Sequence, residues 1–235
     1  MKKFRDVIIL DEINLIVTTD SAAGIGEKEF DSVHADVETV AYYAAFVPLV
    51  EALAVRSKPF LLIDTLCNER FPYGEKIITG IKKAMFDAKM DLSNGFTGST
   101  EENFVTKMTG IGVTVLSKGF EMRKAKKGDA IFAIGKGLVG EELLREINSA
   151  MTIDDYFYLK SLDFINDIVP LGSKGAMHEI NEIENHSLLK ARIVNDDFDY
   201  LSSAGPATMC LITTPEENIH KLNIKRDVNL LAYME

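Results

Sequence analysis

Apolar and polar positions along the chain change period several times, and each change predicts an element. Val7-Ile8-Ile9-Leu10 and Leu15-Ile16-Val17-Thr18-Thr19 are β-branched runs separated by Asp11-Glu12, which predicts strand, break, strand. A loop of small residues follows, Ser21-Ala22-Ala23-Gly24-Ile25-Gly26. Over residues 38–56 the spacing becomes helical, with Val40, Ala44, Val47, Val50, Leu53 and Ala54 recurring at steps of mostly three and four. Pro48 lies inside this stretch and predicts a kink or a fresh start there. Phe60-Leu61-Leu62-Ile63-Asp64-Thr65-Leu66 has the length and content of a buried strand. Residues 74–90 predict a second amphipathic helix, with Ile77, Ile81, Ala84, Met85 and Ala88 on one face. Residues 110–116 (GIGVTVL) and 130–134 (AIFAI) predict strands, the second after the turn Lys127-Gly128-Asp129. Strands alternating with helices predict a mixed α/β fold.

Gly135, Gly137 and Gly140 fall within six residues and mark the expected domain boundary. This gives a first domain over residues 1–139 and a smaller α/β domain over 140–235. The second domain is expected to hold a helix over 141–150, a polar stretch around Asp154-Asp155 and a strand or turn at Ile168-Val169-Pro170. A helix from Ser173 and a final strand over 207–213 complete it.

Composition narrows the function classes. With 46% hydrophobic and 26% charged residues the chain is an ordinary folding one, not a disordered one. No uncharged apolar run approaches the roughly 18 residues of a membrane helix. The basic start is interrupted by Asp6, Asp11 and Glu12, so it lacks a signal peptide's apolar segment. A cytoplasmic protein without membrane attachment is expected. The net charge of −10 opposes a nucleic-acid footprint, which needs clustered Lys and Arg, but leaves room for a local phosphate site. Cys67 and Cys210 lack zinc spacing and read as buried thiols. His34, His178, His186 and His220 show no paired metal spacing, and there is no G-x-S-x-G elbow.

Four segments carry candidate chemistry. Asp20-Ser21-Ala22-Ala23-Gly24-Ile25-Gly26-Glu27-Lys28 follows a strand; its small residues let backbone N–H groups approach phosphate oxygens, Asp20 suits Mg²⁺ and Lys28 an anion. It lacks the P-loop spacing, and a plain glycine turn fits it as well. Carboxylates cluster near element ends: Asp20, Asp31, Asp36, Glu51 and Asp64. Glu51 falls where the helix pattern predicts burial, so it needs a cation, either a metal or a salt bridge to Arg56 or Lys58. Thr97-Gly98-Ser99-Thr100-Glu101-Glu102 fits capping-box spacing before a helix and also offers hydroxyls and carboxylates to a metal-bound triphosphate. Gly172-Ser173-Lys174-Gly175 enters a helix, where an anion or a surface turn would be at home.

Taken in order, these pieces resemble the superfamily of aminoimidazole ribonucleotide synthetase, thiamine-monophosphate kinase, selenophosphate synthetase and the hydrogenase maturation factor that dehydrates a carbamoyl group. Asp20-Ser-Ala-Ala resembles its Asp-Asp-Ala-Ala loop, with Ser21 in place of one aspartate. His34-Ala35-Asp36 resembles a later Thr-Asp, and Pro48 to Pro59 resembles a helix that places Glu51 at a metal-binding aspartate. Thr97-Gly98-Ser99-Thr100 resembles Gly-Gly-Asp-Thr with Ser99 replacing aspartate, and Gly172-Ser-Lys-Gly175 resembles the second domain's glycine element. The set GIGEKE, DTLCNE, GSTEEN and SAGPAT most closely resembles the α-ribazole kinases, which serve cobamide lower-ligand salvage.

The resemblance implies a two-domain α/β (α+β) fold like that of aminoimidazole ribonucleotide synthetase, with first domains contributing strands to a dimeric barrel and a reduced second domain. It implies a homodimeric kinase that transfers the γ-phosphoryl group of ATP, with Mg²⁺, to the 5′-hydroxyl of a nucleoside. Asp20, Asp36 and Glu51 would hold Mg²⁺. Gly24, Gly26, Lys28, Gly98, Ser99, Thr100, Ser173 and Lys174 would hold nucleotide, with Lys28 and Glu101 acting in catalysis. Two alternatives are another ATP enzyme of the superfamily, which activates a carbonyl or phosphorylates a different small molecule, and a non-catalytic nucleotide-binding dimer.

Overall fold

The computed structural model describes all residues, Met1–Glu235, as two compact units. One comprises Met1–Ala52 and Ser57–Phe120, the other Leu53–Arg56 and Glu121–Glu235. The division falls at Phe120, ahead of the expected boundary at Gly140, and the units are of nearly equal size. The reason is strand pairing: residues 129–135, assigned to the first domain on sequence, form the middle of the second unit's sheet.

The first unit holds β1 (Lys2–Phe4), β2 (Val7–Leu10), β3 (Leu15–Ala23), β4 (Ile25–Gly26), β5 (Val33–His34), α1 (Val37–Ala54, its last two residues counted with the second unit), β6 (Lys58–Leu66), α2 (Glu75–Asp87), β7 (Phe96–Ser99) and β8 (Gly110–Lys118). Six strands form one sheet in the order β1-β2-β3-β8-β6-β7, with only β6 and β7 parallel. Alternation sets its faces. Ile16 and Thr18, Ile111, Val113 and Val115, and Leu62, Asp64 and Leu66 are buried on one side, while Thr19, Ser21 and Thr65 are exposed on the other. On the buried side the Thr18 hydroxyl donates to the Pro48 carbonyl of α1 at 2.7 Å. Pro48 therefore neither ends nor restarts α1, which runs unbroken over 18 residues. α1 has the length and mean hydropathy, 1.4, of a membrane span, but 72% of it is buried inside the protein. It is a core helix, predominantly apolar because most of it is covered by the rest of the protein.

The second unit holds β9 (Asp129–Gly135), α3 (Glu141–Arg145), α4 (Ile153–Ser161), β10 (Ile168–Pro170), α5 (Gly175–Ser187), β11 (Ala191–Ile193), β12 (Met209–Pro215) and β13 (Val228–Met234). Its antiparallel sheet runs β10-β12-β9-β13-β11. Every residue of β9 is buried, and Ala176, Ile180 and Ile183 of α5 join the same core. Three features differ from expectation. The helix expected over 141–150 stops at Arg145 and gives way to a 3₁₀ turn at Ile147–Ser149. The polar stretch at Asp154-Asp155 is the first turn of α4, because Thr152 and Asp155 form a reciprocal capping box. Residues 207–213 do not supply the last strand, since β13 follows and pairs with the other edge of β9.

Candidate active site

β3, β6 and β7 end, and β8 begins, at one end of the first sheet, so the loops after β3, β6 and β7 gather there. A buried clasp ties them together. The Lys28 ammonium, 3% exposed, pairs with Glu69 and donates to both the carbonyl and hydroxyl of Thr106, each at 2.7 Å. It also lies 4.9 Å from the centre of the Tyr73 ring. Glu69 in turn accepts the Thr106 N–H at 2.9 Å, and Lys28 beside it pulls its carboxyl down to about 2. Asp31 accepts the backbone N–H groups of Lys28 and Thr109, both at 2.8 Å, and the Thr109 hydroxyl at 2.7 Å. Asn68 accepts the Gly110 N–H at 3.0 Å.

This clasp explains the glycines of the first loop. A β-carbon on Gly26, where φ is +153°, would strike the Thr109 hydroxyl and lie 2.9 Å from Asp31. Gly24 donates to the Thr109 carbonyl at 3.0 Å. In this structure the three hydrogen bonds of the Lys28 ammonium all go to Glu69 and Thr106, so its visible role is to hold loops, not to face open solvent. Glu69, Asn68, Thr106 and Thr109 were missed as a group on sequence, because nothing in their spacing signals that they meet.

The first unit also holds a cavity of about 400 Å³ whose lining includes Asp6, Thr19, Asp20, Ser21, Glu51 and Thr65. Burial, reinforced by the negative charge of Asp6, raises the Asp20 carboxyl to about 6 against the opposing Ser21 N–H. Glu51 shares this cavity and is buried as expected. Its ion-pair partner is Arg5, which reaches both carboxylate oxygens at 3.4 Å, and not Arg56 or Lys58. Asp36 is elsewhere in its chemistry: exposed, it caps α1 by accepting the N–H and hydroxyl of Thr39 at 2.8 and 2.7 Å, which holds it below the usual carboxylate range. The structure thus brings Asp20 and Glu51 to one cavity and leaves Asp36 outside its lining. No group of three or more His, Cys, Asp or Glu side chains forms a metal cage.

Gly98 and Ser99 end β7, with Ser99 opposite Thr65, and no helix follows before β8. The capping-box expectation for Ser99 and Glu102 is therefore corrected. Glu102 accepts the Thr100 hydroxyl at 2.7 Å and the Arg70 N–H at 2.9 Å, whereas Glu101 accepts the Asn103 N–H at 2.6 Å. Ser173 and Lys174 are exposed in the second unit immediately before α5, with the Gly172 carbonyl taking the Ala204 N–H at 3.3 Å.

No protein-family model and no curated protein matches this sequence. Solved structures do match its fold. The thiamine monophosphate kinase of Aquifex aeolicus is similar over 100% of this chain and 88% of its own, with 18% identity and a TM-score of 0.69. AaThiL complexed with AMPPCP and TMP is similar over 97% of this chain and 83% of its own, with 19% identity and a TM-score of 0.65. The hydrogenase maturation protein HypE in complex with ATP covers 94% of this chain and 76% of its own, at 17% identity and a TM-score of 0.63. The chain has the fold of these proteins. That agrees with the α/β superfamily fold expected from the motif order.

Proposed function

We propose that the protein is an ATP-dependent small-molecule kinase, and that its acceptor is the ribose 5′-hydroxyl of α-ribazole. The observation that carries the kinase reading is the match, over nearly the whole chain, to a fold that binds AMPPCP together with a phosphate-bearing small molecule in AaThiL. The first unit supports it locally. Loops after three strands are locked at one end of the sheet, and a cavity of the same unit is lined by Asp20, whose carboxyl burial raises to about 6. The α-ribazole assignment rests on the motif resemblance and on the acidic surface, which suits a neutral nucleoside.

In this reading Mg²⁺ enters as part of Mg·ATP. A site without a preformed three-carboxylate cage suits an ion that brings phosphate and water ligands and needs one or two carboxylates from the protein. Asp20 would be the first of these; Glu51, which lines the same cavity and is paired with Arg5, would be the second. When bound, the ion offsets phosphate charge during in-line transfer. The protein's own part is positioning. The clasp around Lys28 fixes the Gly24–Gly26 turn and the chain after Thr106, and the β7 end presents Gly98, Ser99 and Thr100 to the nucleotide. Glu101, tied to the Asn103 N–H, orders the turn that follows. Ser173 and Lys174 are the second unit's candidate anion contacts. Phosphoryl transfer runs on positioning and electrostatics without a strong base.

The test is a phosphotransfer screen with Mg·ATP and a panel of nucleosides that includes α-ribazole. Phosphate transferred to an acceptor supports the kinase, and transfer to α-ribazole above the others supports the acceptor. Release of inorganic phosphate with an acceptor-derived condensation product supports a carbonyl-activating enzyme instead. ATP binding without turnover supports a non-catalytic nucleotide-binding protein.

A further inference from the structure

The second unit holds a pocket of a different character from the cavity at Asp20. It measures about 160 Å³ and is lined by Leu171, Phe198, Ala204 and Met209, by the bare backbone of Gly137, and by two polar side chains, Asp199 and Ser202. Leu171, Ala204 and Met209 are buried members of the unit's apolar core, and Phe198 packs against that core. Tyr200 braces Phe198. The two rings meet edge to face at 5.2 Å, and the Tyr200 hydroxyl lies 2.9 Å from the Asn195 carbonyl and 3.3 Å from that of Leu231. The aromatic side of the pocket is therefore in place before anything binds. Its polar side is unspent. Asp199 Oδ1 accepts the N–H groups of Leu201 and Ser202, both at 3.0 Å, while Asp199 Oδ2 and the Ser202 hydroxyl make no hydrogen bond within the protein. Two segments singled out in the sequence meet here. Residues 203–208 (SAGPAT) supply Ala204 and lead into Met209, and the Ala204 N–H donates to the carbonyl of Gly172, at the head of Gly172-Ser173-Lys174.

An apolar cavity of about 150 Å³ is enough to take up benzene, so this pocket suits a flat ring whose polar substituents stay at Asp199 and Ser202. We propose that it receives the base of the acceptor nucleoside, an apolar bicyclic ring, while Asp199 and Ser202 hold the ribose hydroxyls. The inference rests on the kinase reading and names the part of the acceptor that the protein selects. The lining favours such a ring over a purine with polar edges. Apart from Asp199 and Ser202 no lining side chain can form a hydrogen bond, so buried amino or keto groups give up bonds to water and gain none in return. A benzimidazole carries no such group on its six-membered ring. A carboxylate is in turn a common acceptor for a ribose hydroxyl.

The experiment uses the full chain with ¹³C-methyl-labelled methionine, titrated with α-ribazole and, separately, with adenosine. A ring seated against Met209 should shift the Met209 methyl signal, assigned through Met209→Leu, and adenosine should need about 100-fold more ligand for the same effect. Steady-state phosphotransfer adds two variants. Phe198→Ala removes the aromatic side of the pocket, and Asp199→Asn keeps the oxygen that caps the turn while replacing Oδ2 by a nitrogen. Each should raise the acceptor KM about tenfold with kcat and the KM for ATP within about twofold, a split that marks lost acceptor binding and not lost chemistry. Asp199→Asn should leave the KM of a 2′,3′-dideoxy acceptor unchanged. Thermal unfolding reports whether Phe198→Ala keeps its fold, and the wild-type titration does not depend on it. A Met209 methyl that stays put at saturating α-ribazole overturns the proposal, as does an equal response to adenosine or an unchanged acceptor KM in both variants. Phosphate transfer that persists in those cases leaves the kinase reading intact. A Met209 shift without transfer to any nucleoside overturns the kinase reading and supports the ring pocket. Wild type that neither binds nor phosphorylates a nucleoside overturns both.

Discussion

Replacing Lys28 by Met removes the ammonium at the centre of the clasp while keeping most of the apolar stem over Tyr73. The Lys28 side chain is 3% exposed and Glu69 19% exposed, so the pair is largely out of water. Removing one partner of a buried pair costs about 3–5 kcal/mol, because the other charge stays behind. Glu69 keeps the Thr106 N–H and some access to water, which places the expected loss at the low end, ~3 kcal/mol. At roughly 2–4 °C per kcal/mol for a chain of this size, the melting temperature should fall by about 6–12 °C at pH 7. The pH dependence gives a second, independent signature. Lys28 holds the Glu69 carboxyl at about 2 in the folded protein, against an ordinary 4.5. A depressed folded pKa contributes stability that is complete above 4.5 and is lost as pH falls towards 2. The gap between wild type and Lys28→Met should therefore be constant above pH 5 and narrow between about 4.5 and 2. Urea unfolding at a series of pH values measures both. A variant within about 0.5 kcal/mol of wild type at pH 7, or a gap that persists undiminished at pH 2, refutes the clasp.

Asp20→Asn should weaken Mg·ATP binding while raising the melting temperature at pH 7.5. Burial lifts Asp20 from 3.8 to about 6, so its ionised form costs stability once pH exceeds that range, and the gain should vanish below pH 3.8. Glu51→Gln should destabilise by roughly 3 kcal/mol through loss of the buried pair with Arg5, and pairing it with Arg5→Met should recover much of that loss. If the double variant recovers nothing in denaturant melts, the ion pair is not what Glu51 is for. Sedimentation at micromolar concentration should give about twice the 26.1 kDa chain mass, consistent with a homodimer joined through the half-exposed outer face of the first sheet around Val17, Leu61 and Leu116. A monomer at that concentration excludes this arrangement.

Elements with strong periodicity were legible in the sequence: α2, β2, β3, β8 and β9 lie where apolar spacing places them. The boundary was not, because glycines at 135, 137 and 140 mark a strand end as well as they would mark a linker, and only pairing with β12 and β13 assigns β9 to the second unit. Asp154-Asp155 reads only as a polar stretch in the sequence because its acids dominate the local composition, although acids are what a helix's first turn favours. In the candidate site, the burial of Glu51 was legible from helical spacing, but its partner was not, since Arg5 lies 46 residues away on the chain. The same holds for Lys28 with Glu69 and Thr106. Such pairs are products of register, which a single sequence does not display.

The position of β9 has a consequence for how the chain is made. All six strands of the first sheet have been synthesised once Lys118 emerges, so that unit can close while translation continues. β9 emerges next, seven residues that are all buried in the finished protein, yet neither strand that flanks it exists until Met209–Pro215 and Val228–Met234 follow. Throughout that interval the ribosome carries an apolar strand with two open edges, which is the kind of segment that recruits the wrong partner. Nascent chains stalled shortly before Met209 should therefore be the species most dependent on chaperones, and release from that dependence should come only when the last strand clears the exit tunnel.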